Sequence, residues 1–371
     1  MMDRESAYSK LIDELILKNR PFAAWFFPNN DNPEILIGDV NDITYPTDFN
    51  KLNGQEGFVF APFRISDDAP VVLLKPGSLL KGYDSILSFD TEKLEHIEES
   101  EQSRSLYFID HEDYLKDIKR SIQEINSTKL AKVIVSRLIE GKRKEESVGQ
   151  LYLELRNQTP NAFVYLVNLP KAGIWMGATP EVLLELQGKI METVSLAGTQ
   201  SRKDDSDYSW HTKEIEEQAF VSRYMLDVFY RFDVHPYTTR GPDTMESGKV
   251  AHLKTSFMFP AKKIVDKLGD FIADLHPTPA VCGLPKSKAD KFISKIEKHN
   301  RRYYTGYLGP WRLNSSVRLF VNLRCMEIIP EKYILYSGGG ITSRSVPQQE
   351  WEETNHKAKT LLSAIEAVQN K

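Results

Sequence analysis

The stretch AFVYLVNLPKAGIWMGATPEVLLELQGKIMETVSL, residues 162–196, decides the fold class. Its first two apolar runs, 162–169 and 173–178, are joined only by the turn NLPKAG. The next two, within 182–196, predict a hairpin turning at Gln187-Gly188. A parallel crossover needs a dozen or more residues and usually a helix, so short returns of this kind dictate antiparallel pairing. Strict strand–helix alternation is absent, which favours α+β with large, mainly antiparallel sheets over a doubly wound parallel fold.

Outward from that stretch the pattern continues. Upstream, KVIVSRLIEG (132–141) is rich in β-branched residues and ends at glycine, so it reads as a strand. Before it, Asp110 can cap a helix over 112–126, with Leu115, Ile118, Ile122 and Ile125 at helical spacing. Residues 147–157 read as helix. Downstream, 211–232 predicts a long helix whose apolar face includes Ile215, Phe220, Tyr224, Met225 and Phe229. RLFVNLRCMEII (318–329) and KYILYSGGGI (332–341) read as paired strands, and 349–368 as a closing helix burying Leu361, Leu362 and Ile365. The first hundred residues read as irregular α/β material, with a turn cluster at Pro28–Pro33 and a half-buried strand in GFVFAPF (57–63). Thr91–Arg104 reads as an exposed connection.

Composition sets the class. The chain has 371 residues, 41% hydrophobic, enough for a large packed core. A net charge of −4 argues against a generic nucleic-acid binder. Cys282 and Cys325 cannot form a disulfide framework and suit a reduced compartment. There is no apolar signal core at the start and no run approaching the roughly 20 residues of a membrane span. A cytoplasmic protein without membrane association is expected, and, lacking heptads, a monomer.

Several residue groups could carry chemistry. Glu214 and Glu217 are three apart on one predicted helix, and Glu350 and Glu353 three apart on another. Residues at that spacing share a helix face, and two such faces offer the hard oxygen ligands Mg²⁺ takes. Acidic residues on exposed helices are, however, ordinarily just solvated. Ser337-Gly338-Gly339-Gly340 ends an apolar strand and could bring backbone N–H groups to an anion, or form a simple bulge. Glu181 follows a strand and a turn; partly desolvated, it could act as a general acid, or it could merely cap the turn. Lys132 opens an apolar strand and either snorkels outward or faces a cavity. His276 sits on the proline-fixed loop HPTP. Arg324 interrupts an apolar run, and burying a guanidinium is costly unless an anion pairs with it.

Each group is weak alone, but their order is specific. KVIVSR, MGATPE, SLAGT, HPTPAVCG, YYTGYLG, NLRCMEI, YSGGGI and EWEETNHK succeed one another in a way that resembles the chorismate-utilising enzymes, a family that includes isochorismate synthase, salicylate synthase and anthranilate synthase component I. The resemblance covers residues 105–365, with 1–104 as the family's more variable part. It implies a single chorismate-binding unit over 1–371, two sheets packed together with helices outside. Lys at 132 and the HPTP loop look closest to isochorismate synthase, because ammonia-using members typically carry Gln at that position.

Carried over by this resemblance, Lys132 matches the lysine that activates water, and Glu181 the acid that protonates the departing C4 hydroxyl. Glu217 and Glu353 match the Mg²⁺-binding glutamates, with Glu214 and Glu350 as their supporting partners. Gly198 and Thr199 match residues near the substrate ring. Tyr304, Arg324, Gly338 and Gly340 match groups around the enolpyruvyl carboxylate, Lys357 lies near the metal-bound end, and the role of His276 stays open. One departure is Asn300-Arg301-Arg302 before the tyrosines, where many relatives have Glu-Arg. The activity implied is Mg²⁺-dependent conversion of chorismate to isochorismate, an isomerase reaction feeding menaquinone or catechol siderophore synthesis. A salicylate synthase and a non-catalytic chorismate binder are the alternatives.

Overall fold

A computed structural model describes residues 4–98, 105–201, 208–247 and 250–370. Two nine-stranded sheets dominate it, and every pairing between their strands is antiparallel. The first sheet centres on Lys132–Lys142, Lys332–Ile341, Cys325–Ile329, Gly173–Thr179 and Phe163–Leu169. The second centres on Val250–Pro260, Ile190–Ser201, Val182–Gln187, Arg318–Val321 and Tyr307–Trp311.

The hairpin reading of 162–196 holds strand by strand. Phe163–Leu169 pairs with Gly173–Thr179 in the first sheet, and Val182–Gln187 with Ile190–Ser201 in the second. Between them, around Pro180 and Glu181, the chain changes sheet.

Aromatic side chains fill the space between the sheets. Phe163 of one stacks on Phe320 of the other, ring centres 4.1 Å apart and nearly parallel, and Trp25, Phe58, Phe60, Trp175 and Tyr303 join the same buried cluster. Helices cover both outer faces. Arg4–Leu17, Val148–Gln158 and Pro347–Gln369 pack on the first sheet, and Thr212–Arg231 and Leu268–Leu275 on the second. His111–Ser127, capped by Asp110 as predicted, packs beside the Lys132–Lys142 strand.

The early residues do not stand apart. Phe22–Phe26, Glu34–Ile37 and Ser78–Lys81 extend the first sheet, while Ile43–Thr44, Gly57–Ala61 and Val72–Leu74 extend the second. Gly57–Ala61 is buried on both faces, not on one, because it lies between the inter-sheet aromatics and the outer core. Of the connection 91–104, residues 91–98 run along the surface with Leu94 tucked in; 99–104 lie outside the described residues.

Two other expectations are corrected. Residues 318–329 are not one strand. Arg318–Val321 belongs to the second sheet and Cys325–Ile329 to the first, and the chain crosses at Asn322–Arg324, where Arg324 adopts a left-handed φ of 47°. The break takes the guanidinium out of a strand interior, where it would lack a partner. On the Thr212–Arg231 helix, Ile215 and Phe220 are half exposed, while Val221, Met225, Val228 and Phe229 are buried. The buried stripe is rotated because Gln218 faces inward, donating to Ser195 and Thr255.

Candidate active site

The two places where the chain changes sheet lie side by side. Val321 N–H donates to the carbonyl of Glu181 at 2.9 Å, and Ala178 N–H to that of Arg324 at 3.1 Å. Glu181 and Arg324, 143 positions apart in the sequence, are thus pinned at paired crossovers between the sheets. Burial pushes the Glu181 carboxyl up to about 7, against the opposing pull of Lys132, Lys357 and Arg324, in that order. Burial likewise lowers the Arg324 guanidinium, with Glu181 opposing it.

Lys132 begins its strand beside Gly283–Leu284 at the sheet edge. Its other neighbour is the glycine end of Lys332–Ile341, with Gly340 opposite Ile134 and Gly338 opposite Ser136. Side chains alternate along a strand and directly opposed residues share a face. Lys132, Gly340 and Gly338 therefore face one way and Gly339 the other. A Cβ on Gly340 would stand 2.8 Å from Cε of Lys132, and one on Gly338 would stand 3.0 Å from the Tyr304 hydroxyl. On the opposite face, a Cβ on Gly339 would stand 3.0 Å from Oε2 of Glu350 and 3.7 Å from Oε1 of Glu353. The three glycines leave a bare backbone layer with an amine and a phenol on one side and two carboxylates on the other.

Some of the other predicted residues contact this layer or its neighbours, and others lie apart from it. Lys132 Nζ lies 3.3 Å from Oε1 of Glu217. Lys357 Nζ donates to the Gly338 carbonyl at 2.9 Å and pairs with Glu353 at 2.7 Å. Tyr304 is buried and stacks on Tyr336; burial raises its phenol far above the usual value. Gly198, at a bulge with φ 68°, lies under the first turn of the Thr212–Arg231 helix, 3.1 Å from Glu214 Cβ by its own missing Cβ. Thr199 pairs with His252 across the strands; their side chains lie outside the described residues. Glu214 caps its own helix instead, its Oε2 accepting from His211 N–H at 3.0 Å. His276 lies elsewhere, its ring among Phe49, Phe63 and Tyr307 with Nε2 3.2 Å from two backbone carbonyls. Burial pulls it down to about 3.

Glu350 is unusual among the acidic residues of the site. Burial pushes its carboxyl up to about 7, and the neighbouring charge of Glu353 adds to that shift against Ser345, Lys357 and Lys132. Its buried Oε2 has no hydrogen-bond partner. Among the described residues no three His, Cys, Asp or Glu side chains close into a cage. Mg²⁺ does not need one: it binds one or two carboxylates and keeps waters. Two convergent carboxylates, one with an orphaned oxygen, suit such an ion.

Sequence reasoning missed one prominent group. Arg137, on the Lys132–Lys142 strand, is buried and grips the Pro347–Gln369 helix through Thr354, Asn355 and the Trp351 ring. The signal was the one that singled out Arg324, a cation interrupting an apolar run of sequence.

The model for chorismate binding enzymes matches residues 78–366. The chain belongs to this family. Its match begins upstream of residue 105, within the segment expected to be variable. Among chorismate-binding relatives, the chain is 29% identical over 262 residues to the vibriobactin-specific isochorismate synthase of Vibrio cholerae, covering 68% of this chain and 66% of that one. It is 25% identical over 268 residues to anthranilate synthase component 1 of Aquifex aeolicus, covering 70% and 54%. The chain spans less than two thirds of the length of these curated relatives. In fold it is similar to MenF, the menaquinone-specific isochorismate synthase of Escherichia coli, with a TM-score of 0.72, 21% identity and 93% and 88% of the two chains covered. No helix among the described residues is long and apolar enough to cross a membrane.

Proposed function

We propose that the protein is an isochorismate synthase, adding water at C2 of chorismate while the C4 hydroxyl departs. The arrangement that supports this reading brings the Lys132 amine, at the glycine end of its strand, close enough to be the foremost charge acting on the Glu181 carboxyl, which burial raises to about 7. A carboxylic acid protonated near pH 7 can donate to a leaving hydroxyl, and a lysine can take the proton of attacking water.

Chorismate is a dicarboxylate, so desolvating it requires positive charge and N–H donors. Arg324 and the backbone at Gly338–Gly340 are the groups to hold one carboxylate. Glu350 and Glu353, joined by Glu217 as the resemblance implies, would hold Mg²⁺, which would supply charge neutralisation at the other carboxylate. The Lys132–Glu217 contact holds the amine beside one of the carboxylates that the resemblance assigns to the metal. The glycines matter because any side chain at 340 would occupy the space of the lysine stem.

Incubation of the protein with chorismate and Mg²⁺, with chromatographic analysis of products, tests this. Isochorismate as the sole product is the expected outcome. Pyruvate with salicylate identifies a salicylate synthase, and unchanged chorismate with saturable binding identifies a binder; either rejects the reading. The product would serve menaquinone or catechol siderophore synthesis.

A further inference from the structure

Arg137 is a buried cation with no carboxylate in ion-pair contact among the described residues. It is 4% exposed. Its guanidinium carbon lies 3.6 Å from the centre of the Trp351 ring. Nε donates to Thr354 Oγ1 at 2.9 Å, and Nη2 donates to Asn355 Oδ1. The Thr354 hydroxyl donates in turn to the Trp351 carbonyl, and its carbonyl accepts from Ser337 at 2.7 Å. Every one of these groups on the helix belongs to residues 351, 354 and 355, interleaved with Glu350, Glu353 and Lys357. The grip therefore acts on the helix stripe adjoining the carboxylate stripe. Tyr114 closes the other side of the cluster, its ring against Trp351 and within reach of the Arg137 charge.

Stability does not explain such a residue. A buried guanidinium without a carboxylate partner is expensive to desolvate, and its hydrogen bonds and ring stack offset that cost rather than add to it. What it provides is a fixed rotation. A helix free to turn by one residue would swing its carboxylates by about 100°, away from Gly339. We propose that Arg137 is a positioning residue, locking the rotation of the Pro347–Gln369 helix so that Glu350 and Glu353 stay directed at one divalent cation. This rests on the Mg²⁺ reading above.

The test is calorimetric titration of Mg²⁺ into substrate-free protein, with melting temperature followed in parallel. Arg137→Met is expected to weaken Mg²⁺ binding about tenfold or more, the usual effect of removing an outer support of a metal ligand, while melting within about 3 °C of the parent or above it. Arg137→Lys keeps the charge but loses the planar stack and fork, and is expected to fall between the two. A folded Arg137→Met that binds Mg²⁺ as the parent does overturns the proposal. Should Arg137→Met not fold, Asn355→Leu removes one arm at an exposed position; a severalfold loss of Mg²⁺ affinity supports the proposal, and unchanged affinity overturns it. A parent protein that converts chorismate yet takes up no Mg²⁺ refutes the metal reading itself, a result no Arg137 variant can produce.

Discussion

At the scale of single residues, the chemistry depends on two side chains with opposite needs. Lys132→Ala removes the proposed base and is expected to lower turnover by about 10²–10⁴-fold, measured as isochorismate formation by a protein with an unchanged circular dichroism spectrum. Glu181 makes a sharper prediction. As a general acid with a carboxyl near 7, it should support turnover on the acidic side and lose it as pH rises through about 7. Glu181→Gln should be slow throughout and should lack that limb in a pH–rate profile. The same shift has a stability consequence. A carboxyl raised on folding favours the folded state below its unfolded value near 4.5, and that contribution is lost as pH rises through about 7. Denaturant titrations of Glu181→Gln against the parent should thus show a gain for the variant at pH 8.5, on the order of 1 kcal/mol, that shrinks toward pH 5.

At the scale of elements, the glycine end of the Lys332–Ile341 strand is the part most exposed to test. Gly340→Ala places a methyl 2.8 Å from Cε of Lys132, and Gly339→Ala places one 3.0 Å from Glu350 Oε2. The two substitutions should separate: the first lowering turnover with Mg²⁺ affinity kept, the second weakening Mg²⁺ affinity, each read by steady-state assay and metal titration. Elements were also where the sequence was most legible. Periodicity found the 162–196 hairpins and the 112–126 helix because local turns and caps specify them. It misjudged the 318–329 run because alternation of apolar residues does not reveal which sheet a strand joins; the left-handed turn at Arg324 does. It rotated the 211–232 helix because an inward glutamine breaks the apolar stripe. Of the site, the family resemblance supplied the residues that gather at the glycine layer. It could not show that Glu214 spends an oxygen on its own helix, or that His276 is enclosed by aromatics, since both depend on tertiary neighbours.

At the scale of the whole molecule, strands from the first hundred residues and strands from the rest of the chain are joined in both sheets. Three early strands extend each sheet, and Gly57–Ala61 pairs directly with Tyr307–Trp311. A fragment beginning at residue 105 would leave both sheets with raw apolar edges. It is expected not to fold cooperatively, which loss of a sharp thermal transition would show; a cooperative transition in that fragment would mean the motif-bearing part is autonomous.

The pairing of Lys132–Lys142 with Lys332–Ile341 spans some two hundred positions of sequence. Such a pairing must await its distant partner, so the proposed base acquires its surroundings only once residues as far as 341 have left the ribosome. A prematurely terminated product would hold the lysine but neither its glycine floor nor the carboxylates behind it. Incomplete translation should therefore yield inert chains, never partially competent ones.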